Sequence, residues 1–410
     1  MGGSTAFSIR APTRTGRTSH TGTAPNHNQA PPAPQDAIRA RSAHAHARAG
    51  TGTLPSPLGT TAKAADLLTP SDVRRTIPTH GYARIVLSSP NRVDVHHHIM
   101  PGPYAQWLRD NGVRPGGVEA PEWTSQKSLK LMNRMNVQTA ILSVSTPGVW
   151  LGKQSEATYW ATWLNDTAAH TVRMNRKRFG FFATLPLPDL DAAITEAARC
   201  LDDLNADGIG LLSNTDGRYL GDPQFRPLLE FLNQRKAVVF IHPADLPAAP
   251  VPGVPAFAAD HPLDITRTAL SLITSGALDA FPDIEFILAY AGGFLPFIAY
   301  RVMLAQLDNE SRTSQMLAYV QRRRQLPERV KILRRFYYDV ALSSTSSALP
   351  ALLNVADERK VLFGTDFPFA PTPVVRMLVD QYEQYDLSLY QRQNIDYRNS
   401  FALFPRLLPA

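Results

Sequence analysis

The chain has 410 residues, an apolar fraction of 44% and a formal net charge of +7, enough for one large domain or two medium ones with an ordinary globular core. The charge is uneven: residues 1–80 hold nine Lys or Arg against three Asp, and the remainder holds 33 basic and 32 acidic residues, so the basic balance gives no support to a nucleic-acid-binding globular face. A single cysteine, Cys200, excludes an intrachain disulfide, and no apolar run reaches the ~18 residues that would mark a membrane-spanning helix.

Residues 1–80 are predicted to be a disordered or low-complexity basic extension. Through residue 60 they are rich in Gly, Pro, Ser, Thr and Ala with almost no large apolar side chains, too few to offset the entropy of ordering. The stretch lacks the apolar core of a secretory signal, and its Arg, Ser and Thr content loosely resembles a transit peptide. Organellar targeting therefore stays open beside the expected cytoplasmic location, with which the lone cysteine is compatible.

From Arg92 onward, short apolar runs alternate with amphipathic stretches. The pattern predicts strands at 92–96, 139–145, 178–184, 208–212, 237–242, 285–290, 335–341 and 360–364. Helices are expected at 155–175, 189–205, 223–235, 264–280, 296–325, 347–356 and 372–384. Apolar runs bounded by turn residues suit strands buried on both faces of a parallel sheet. Eight β/α alternations predict an α/β (β/α)₈ TIM barrel over 90–408. An open doubly wound sheet would need a Gly-rich loop after its first strand, and VDVHHHIMP is nothing like one. Two long βα segments, 99–125 and 243–262, are expected at the C-terminal face, the second as a Pro-stiffened lid carrying Phe257.

The chemistry concentrates at strand ends. In Asp94-Val95-His96-His97-His98, alternation along the strand puts His96 and His98 on one side and His97 on the other. Two imidazoles so placed can share a metal. The motif alone is weak, since His44 and His46 repeat the spacing inside the N-terminal stretch without an apolar strand behind them. His242 closes the fifth strand, and Asp366 follows the eighth, which in a barrel lies beside the first. Each residue taken singly suits a blander role, as a core histidine or a helix cap. Together they make a three-nitrogen, one-oxygen set for one divalent ion, Zn²⁺ first and Mn²⁺ second. Cys200, in the helical run DAAITEAARCLDDL, reads as a packing residue.

Residues 92–408 resemble the amidohydrolase superfamily, in its aminocarboxymuconate-semialdehyde decarboxylase-like branch. The segments that carry this are VDVHHHIMP, GFFATLPLPD, ADGIGLLSN, YLGDPQFRPLLEFLNQRKAVVFIHP, DITRTALSLITSGALDAFPDIEFILAYAGGFLPFIAYR, YYDVALSS, VLFGTDFPFAP and NSFALFPRL. Within the branch, the chain is similar to hydroxybenzoate decarboxylases such as those of 6-methylsalicylate and γ-resorcylate. The resemblance implies a TIM barrel, one divalent ion on His96, His98, His242 and Asp366, and a small aromatic carboxylic acid as substrate. It also implies a substrate-carboxylate arginine at Arg301, which in some relatives serves the neighbouring subunit, and so a homodimer.

One position departs from the family. A histidine is expected after strand 6 in an AHAGG-like motif, and here the residues are Ala289-Tyr290-Ala291-Gly292-Gly293. A phenol with an ordinary pKa near ~10 donates a hydrogen bond but is a poor base at neutral pH. His97 and His261 are possible substitutes, His97 facing away and His261 lying in the strand-5 loop. The resulting expectation is non-oxidative decarboxylation with Asp366 as proton carrier and Tyr290 as hydrogen-bond donor. Hydrolysis of a lactone or amide at the same metal, and a catalytically weak paralogue or interaction subunit, stand as alternatives.

Overall fold

In the computed structural model, residues 91–307 and 330–408 are described. The expected extension over 1–80, and the part of the expected 296–325 helix beyond Leu307, lie outside them. The eight apolar runs form eight strands: β1 Arg92–His98, β2 Val137–Ser143, β3 Phe179–Thr184, β4 Gly208–Leu212, β5 Val238–His242, β6 Glu285–Leu288, β7 Tyr337–Asp339 and β8 Val361–Leu362. Each pairs in parallel with the next in sequence order. Residues that continue β8 close the ring against β1, with the Val95 amide donating to Phe363 O at 3.0 Å and the His98 amide to Phe367 O at 2.7 Å. The (β/α)₈ barrel expected from the alternation is the fold.

Strand interiors are buried on both faces, as the continuous apolar runs require; every residue of β1, β3 and β5 is buried. Phe182 and Phe240 stack inside the barrel with ring centroids 5.3 Å apart, and Phe240 touches the His96 ring at 5.1 Å, forming the floor of the mouth. The outer helices bury one stripe each. In Leu190–Asp202 the buried positions are Ala193, Glu196, Ala197 and Cys200, spaced for one helical face, and the Asp189 carboxylate caps the N-terminus by accepting from the Ala192 amide.

The two long βα segments are more structured than their Pro and Gly content suggested. The first contains a helix at Gly102–Asp110 and a short turn at Pro115–Gly117. In the second, a helix spans Ala256–Thr274, eight residues earlier than expected at its start. Pro262 lies inside it, where periodicity and Pro content both argue against a helix. His261 is therefore a buried helical residue and not part of a mobile loop. Among the described residues, no helix is long and apolar enough to cross a membrane.

Candidate metal centre at the barrel mouth

His96, His98, His242 and Asp366 converge from the ends of β1, β5 and the segment after β8, each offering one ligand atom, and those atoms all lie within 4.8 Å of one another. The structure thus brings together the four residues expected at the strand ends. His96 Nε2 stands 3.0 Å from His98 Nε2 and 3.3 Å from Asp366 Oδ1, and His98 Nε2 stands 3.1 Å from the same oxygen. His97 points away, its Nδ1 2.9 Å from Asp94 Oδ2 and its Nε2 2.9 Å from Ser128 Oγ. It joins β1 to the helix Ser125–Arg134 and leaves the mouth to its neighbours.

The far nitrogen of each inward histidine is occupied. His96 Nδ1 meets Asp339 Oδ2 at 2.9 Å, His98 Nδ1 meets Ser143 Oγ at 3.0 Å, and His242 Nδ1 meets Pro243 O at 3.0 Å. Such partners select the tautomer that leaves Nε2 as a lone-pair donor toward the centre. Three buried imidazoles so held, together with the buried Asp366 carboxylate, fit a single divalent ion.

Electrostatics follow from the crowding. Burial alone would lower the His96 imidazole, but Asp339 and then Asp366 outweigh it and push it up to about 10. Burial, with His96 next to it, keeps His98 below the ordinary imidazole value despite Asp366. Burial and the charges of His98 and His96 hold His242 well below that value. Burial pushes the Asp366 carboxyl up, yet the hydrogen bonds of His96 and His98 dominate and hold it far below the usual carboxylate range. The centre thus presents an ionised carboxylate and two imidazoles, His98 and His242, that resist protonation, while His96 holds a proton that a cation would have to displace.

Tyr290 faces this cluster from the turn after β6, its hydroxyl 3.5 Å from His242 Nε2. Burial first, then Asp366 and Asp339, push its phenol well above the ordinary value. The phenol therefore keeps its proton at neutral pH. The backbone is bent to hold these groups: Asp366 has φ 62°, Tyr290 φ 54° and Ala291 φ 56°. Non-glycine residues in this region cost roughly 1–3 kcal/mol each and persist where surrounding bonds over-determine them. Here the Asp366 amide donates to His96 O at 2.8 Å and the Tyr290 amide to Asp339 Oδ1 at 3.2 Å.

A cavity of about 260 Å³ opens beside the centre, lined by His242, Tyr290 and Asp366 together with Pro115, Val118, Phe257, Leu342 and Phe369. Phe257 contributes to its wall as the lid reading anticipated. A larger cavity, about 460 Å³, lies over β2 to β5 and shares Thr146 with the first, but its walls bring none of the four ligands. The smaller one holds the chemistry. Arg301 is exposed on the helix Leu295–Leu307 and is not among the lining residues of either cavity. The chain alone does not bring it to the site.

Sequence reasoning missed Asp339, which orients His96. The segment YYDVALSS contained the signal, an acid closing β7 at the level where His96, His242 and Asp366 close theirs. Thr146 and the burial of His261 were also missed. Both line the cavity, and both depend on loop and helix placement that spacing does not report.

Fold and site together define a metal-binding (β/α)₈ barrel enzyme. Residues 93–406 match the amidohydrolase family, and the chain belongs to it. It is 36% identical over 338 residues to a decarboxylase, yanB, of Aspergillus niger, covering 78% of this chain and 89% of that one. It is 34% identical over 324 residues to the 6-methylsalicylic acid decarboxylase of Penicillium expansum, covering 77% and 97%. A dihydroxybenzoic acid decarboxylase from Polaromonas, solved with bound manganese and 2-nitroresorcinol, shares the fold with a TM-score of 0.62 at 20% identity, covering 78% of this chain and 98% of that one. The chain is a decarboxylase, a carboxy-lyase of the amidohydrolase superfamily.

Proposed function

We propose that this enzyme removes carbon dioxide, without oxidation, from a hydroxylated aromatic acid or a related unsaturated acid. The observation that carries the reading is the convergence of His96, His98, His242 and Asp366, of which His242 and Asp366 line a small, largely apolar cavity. At about 260 Å³ that cavity is at the small end for ligand pockets, which suits a single-ring acid. The relatives acting on 6-methylsalicylate and dihydroxybenzoate support the same substrate class.

When bound, a divalent ion would supply Lewis-acid charge that orients the acid and offsets developing negative charge. Zn²⁺ is the first expectation from the three-nitrogen set, and Mn²⁺, present in the Polaromonas relative, is the alternative. Elemental analysis of the purified protein decides between them.

The protein's own groups divide the remaining work. Asp366 is ionised at rest, so it acts first as acceptor, taking the proton of the hydroxyl next to the carboxylate. Asp366 then passes that proton to the ring carbon that bears the carboxylate. As that carbon gains its proton, the bond to the carboxylate breaks, its electron pair restores the aromatic ring, and carbon dioxide leaves. Tyr290 donates a hydrogen bond and stays protonated throughout. Leu342, Phe369 and Phe257 exclude water and pack against the ring.

Arg301 is assigned to the substrate's acidic groups in the site of a second copy, which makes the enzyme a homodimer. Support comes from its exposure beside Phe297 and Tyr300, which are 88% and 65% exposed on the same helix. Light scattering, with Arg301→Ala read as a rise in KM, tests this. A cytoplasmic location is proposed on the single cysteine alone. The test of the reaction is carbon dioxide release by metal-replete protein from a panel of hydroxybenzoates. Release from at least one is expected; none from any would end the reading.

A further inference from the structure

The metal-facing residues leave part of the cavity unexplained. Beside the apolar walls an aromatic ring would need, the cavity lining holds two fully buried polar atoms that find no hydrogen-bond partner among the described residues: Thr146 Oγ1 and His261 Nε2. The residues are 2% and 5% exposed, and both line the cavity. A buried polar atom left unpaired costs about 1–3 kcal/mol, so two in one pocket call for an occupant.

The pair is built, and it is held in place. Thr146 follows β2 and His261 lies in the helix Ala256–Thr274, yet both meet at Gly116. A β-carbon on Gly116 would lie 3.1 Å from His261 Cε1 and 3.6 Å from Thr146 Cγ2, and the residue has φ +60°. Only glycine leaves the imidazole this position without strain. One turn beyond His261, the fully buried Asp264 carboxylate accepts from Ser213 Oγ, from Asn214 Nδ2 at 3.1 Å, from the Tyr219 hydroxyl at 2.8 Å and from the Ala244 amide at 2.9 Å. The same helix abuts the Tyr290 turn at Gly293, where a β-carbon would lie 2.0 Å from Pro262 O. His261 thus has a fixed position relative to Tyr290 and the metal centre.

The chemistry of the pair is that of neutral groups. Among the described residues no carboxylate is hydrogen-bonded to His261, and burial keeps its imidazole below the ordinary value despite Asp245, Asp366, Asp264 and Asp260 nearby. A neutral imidazole and a threonine hydroxyl donate and accept, as a hydroxyl does. A second carboxylate would instead be buried without a cation. Resting on the reading of this cavity as the site of a 2-hydroxybenzoate-type acid, we propose that Thr146 and His261 form a hydroxyl-recognition site for a further ring hydroxyl of the substrate, other than the one beside its carboxylate.

The test is binding, not turnover. The probes are 2-nitrophenol and its derivatives with one added ring hydroxyl, in which a planar nitro group replaces the carboxylate and cannot leave as carbon dioxide. Affinities are measured by calorimetry on the metal-replete full chain, with metal content checked for each protein. At least one derivative should bind roughly tenfold more tightly than 2-nitrophenol, and Thr146→Val and His261→Phe should each bring that ratio toward one. The ratio within each protein cancels general effects on the pocket; if His261→Phe fails to retain metal, Thr146→Val decides alone. Absence of any such preference in the unsubstituted chain, or a preference that survives in the metal-replete variants, overturns the proposal. Binding of none of the nitrophenols would instead remove the aromatic-acid reading, and the hydroxyl site with it.

Discussion

His96 Nδ1 lies 2.9 Å from Asp339 Oδ2, both side chains being fully buried, while the other oxygen of Asp339 accepts the backbone amides of Tyr290 at 3.2 Å and Ala341 at 2.9 Å. One carboxylate therefore orients a metal ligand and pins the turn that carries the phenol. An amide in its place has one oxygen for three donors, so either His96 or the Tyr290 turn loses its acceptor. Asp339→Asn is expected to weaken metal affinity by about 10- to 100-fold. A competition titration against a chelator reads this directly, and unchanged affinity would show that His96 is oriented by packing alone.

Tyr290→Phe removes one hydroxyl and leaves the ring in contact with His96, whose centroid is 5.0 Å away. If the hydroxyl donates to charge that develops during reaction, kcat falls by about 10²-fold while metal content is retained. Tyr290→His should also lower the activity, because the shorter imidazole does not carry a donor to the place the phenol hydroxyl holds, 3.5 Å from His242 Nε2. A sharp gain on Tyr290→His would instead mark this position as a degenerate one.

Much of this is legible in the sequence, and the reason differs by residue. His96, His98, His242 and Asp366 each follow an apolar strand, and eight alternations bring strand ends to one face. Burial and register then follow from period-2 geometry, which is why His97 could be assigned to the opposite side. His261 was misread because Pro262, the seventh residue of the helix Ala256–Thr274, breaks the usual helix signature. Asp339 was overlooked because an acid that orients a ligand has no spacing of its own. Its role exists only once β7 and β1 are brought together by ring closure. Arg301 was read through family resemblance alone, and within one chain nothing connects it to the cavity.

Arg92 predicts the stability of the barrel's base. Its guanidinium is buried and donates to Asp396 at 3.1 Å, to Met135 O at 3.0 Å and to Glu383 at 3.0 Å. Removing one partner of a buried ion pair typically costs ~3–5 kcal/mol, since the other charge stays behind. Arg92→Met is expected to lower stability by about that amount at neutral pH, measured by urea denaturation. The pH dependence has a definite sign. Burial already raises the Asp396 carboxyl despite Arg92, and losing Arg92 raises it further. A folded state that holds the proton more tightly than the unfolded chain loses stability as pH rises from the ordinary carboxylate value through the raised one. The deficit of Arg92→Met should therefore shrink on acidification through that window, and a deficit independent of pH would assign the loss to packing.

Cys200 provides a check on the helix face and on the absence of thiol chemistry. It is buried on the helix Leu190–Asp202, with its sulfur 3.4 Å from a Glu196 oxygen. Burial and then the Glu196 charge push the thiol far above its ordinary value, so thiolate is scarce at any working pH. The native protein should react with a thiol reagent only as fast as the barrel opens, and stoichiometrically once denatured. Cys200→Ala should leave carbon dioxide release unchanged. It should cost on the order of 1 kcal/mol of stability, for the small volume lost from a packed face. Fast labelling of the folded protein would contradict the packing role, and loss of activity in the alanine variant would require a catalytic part for the only thiol in the chain.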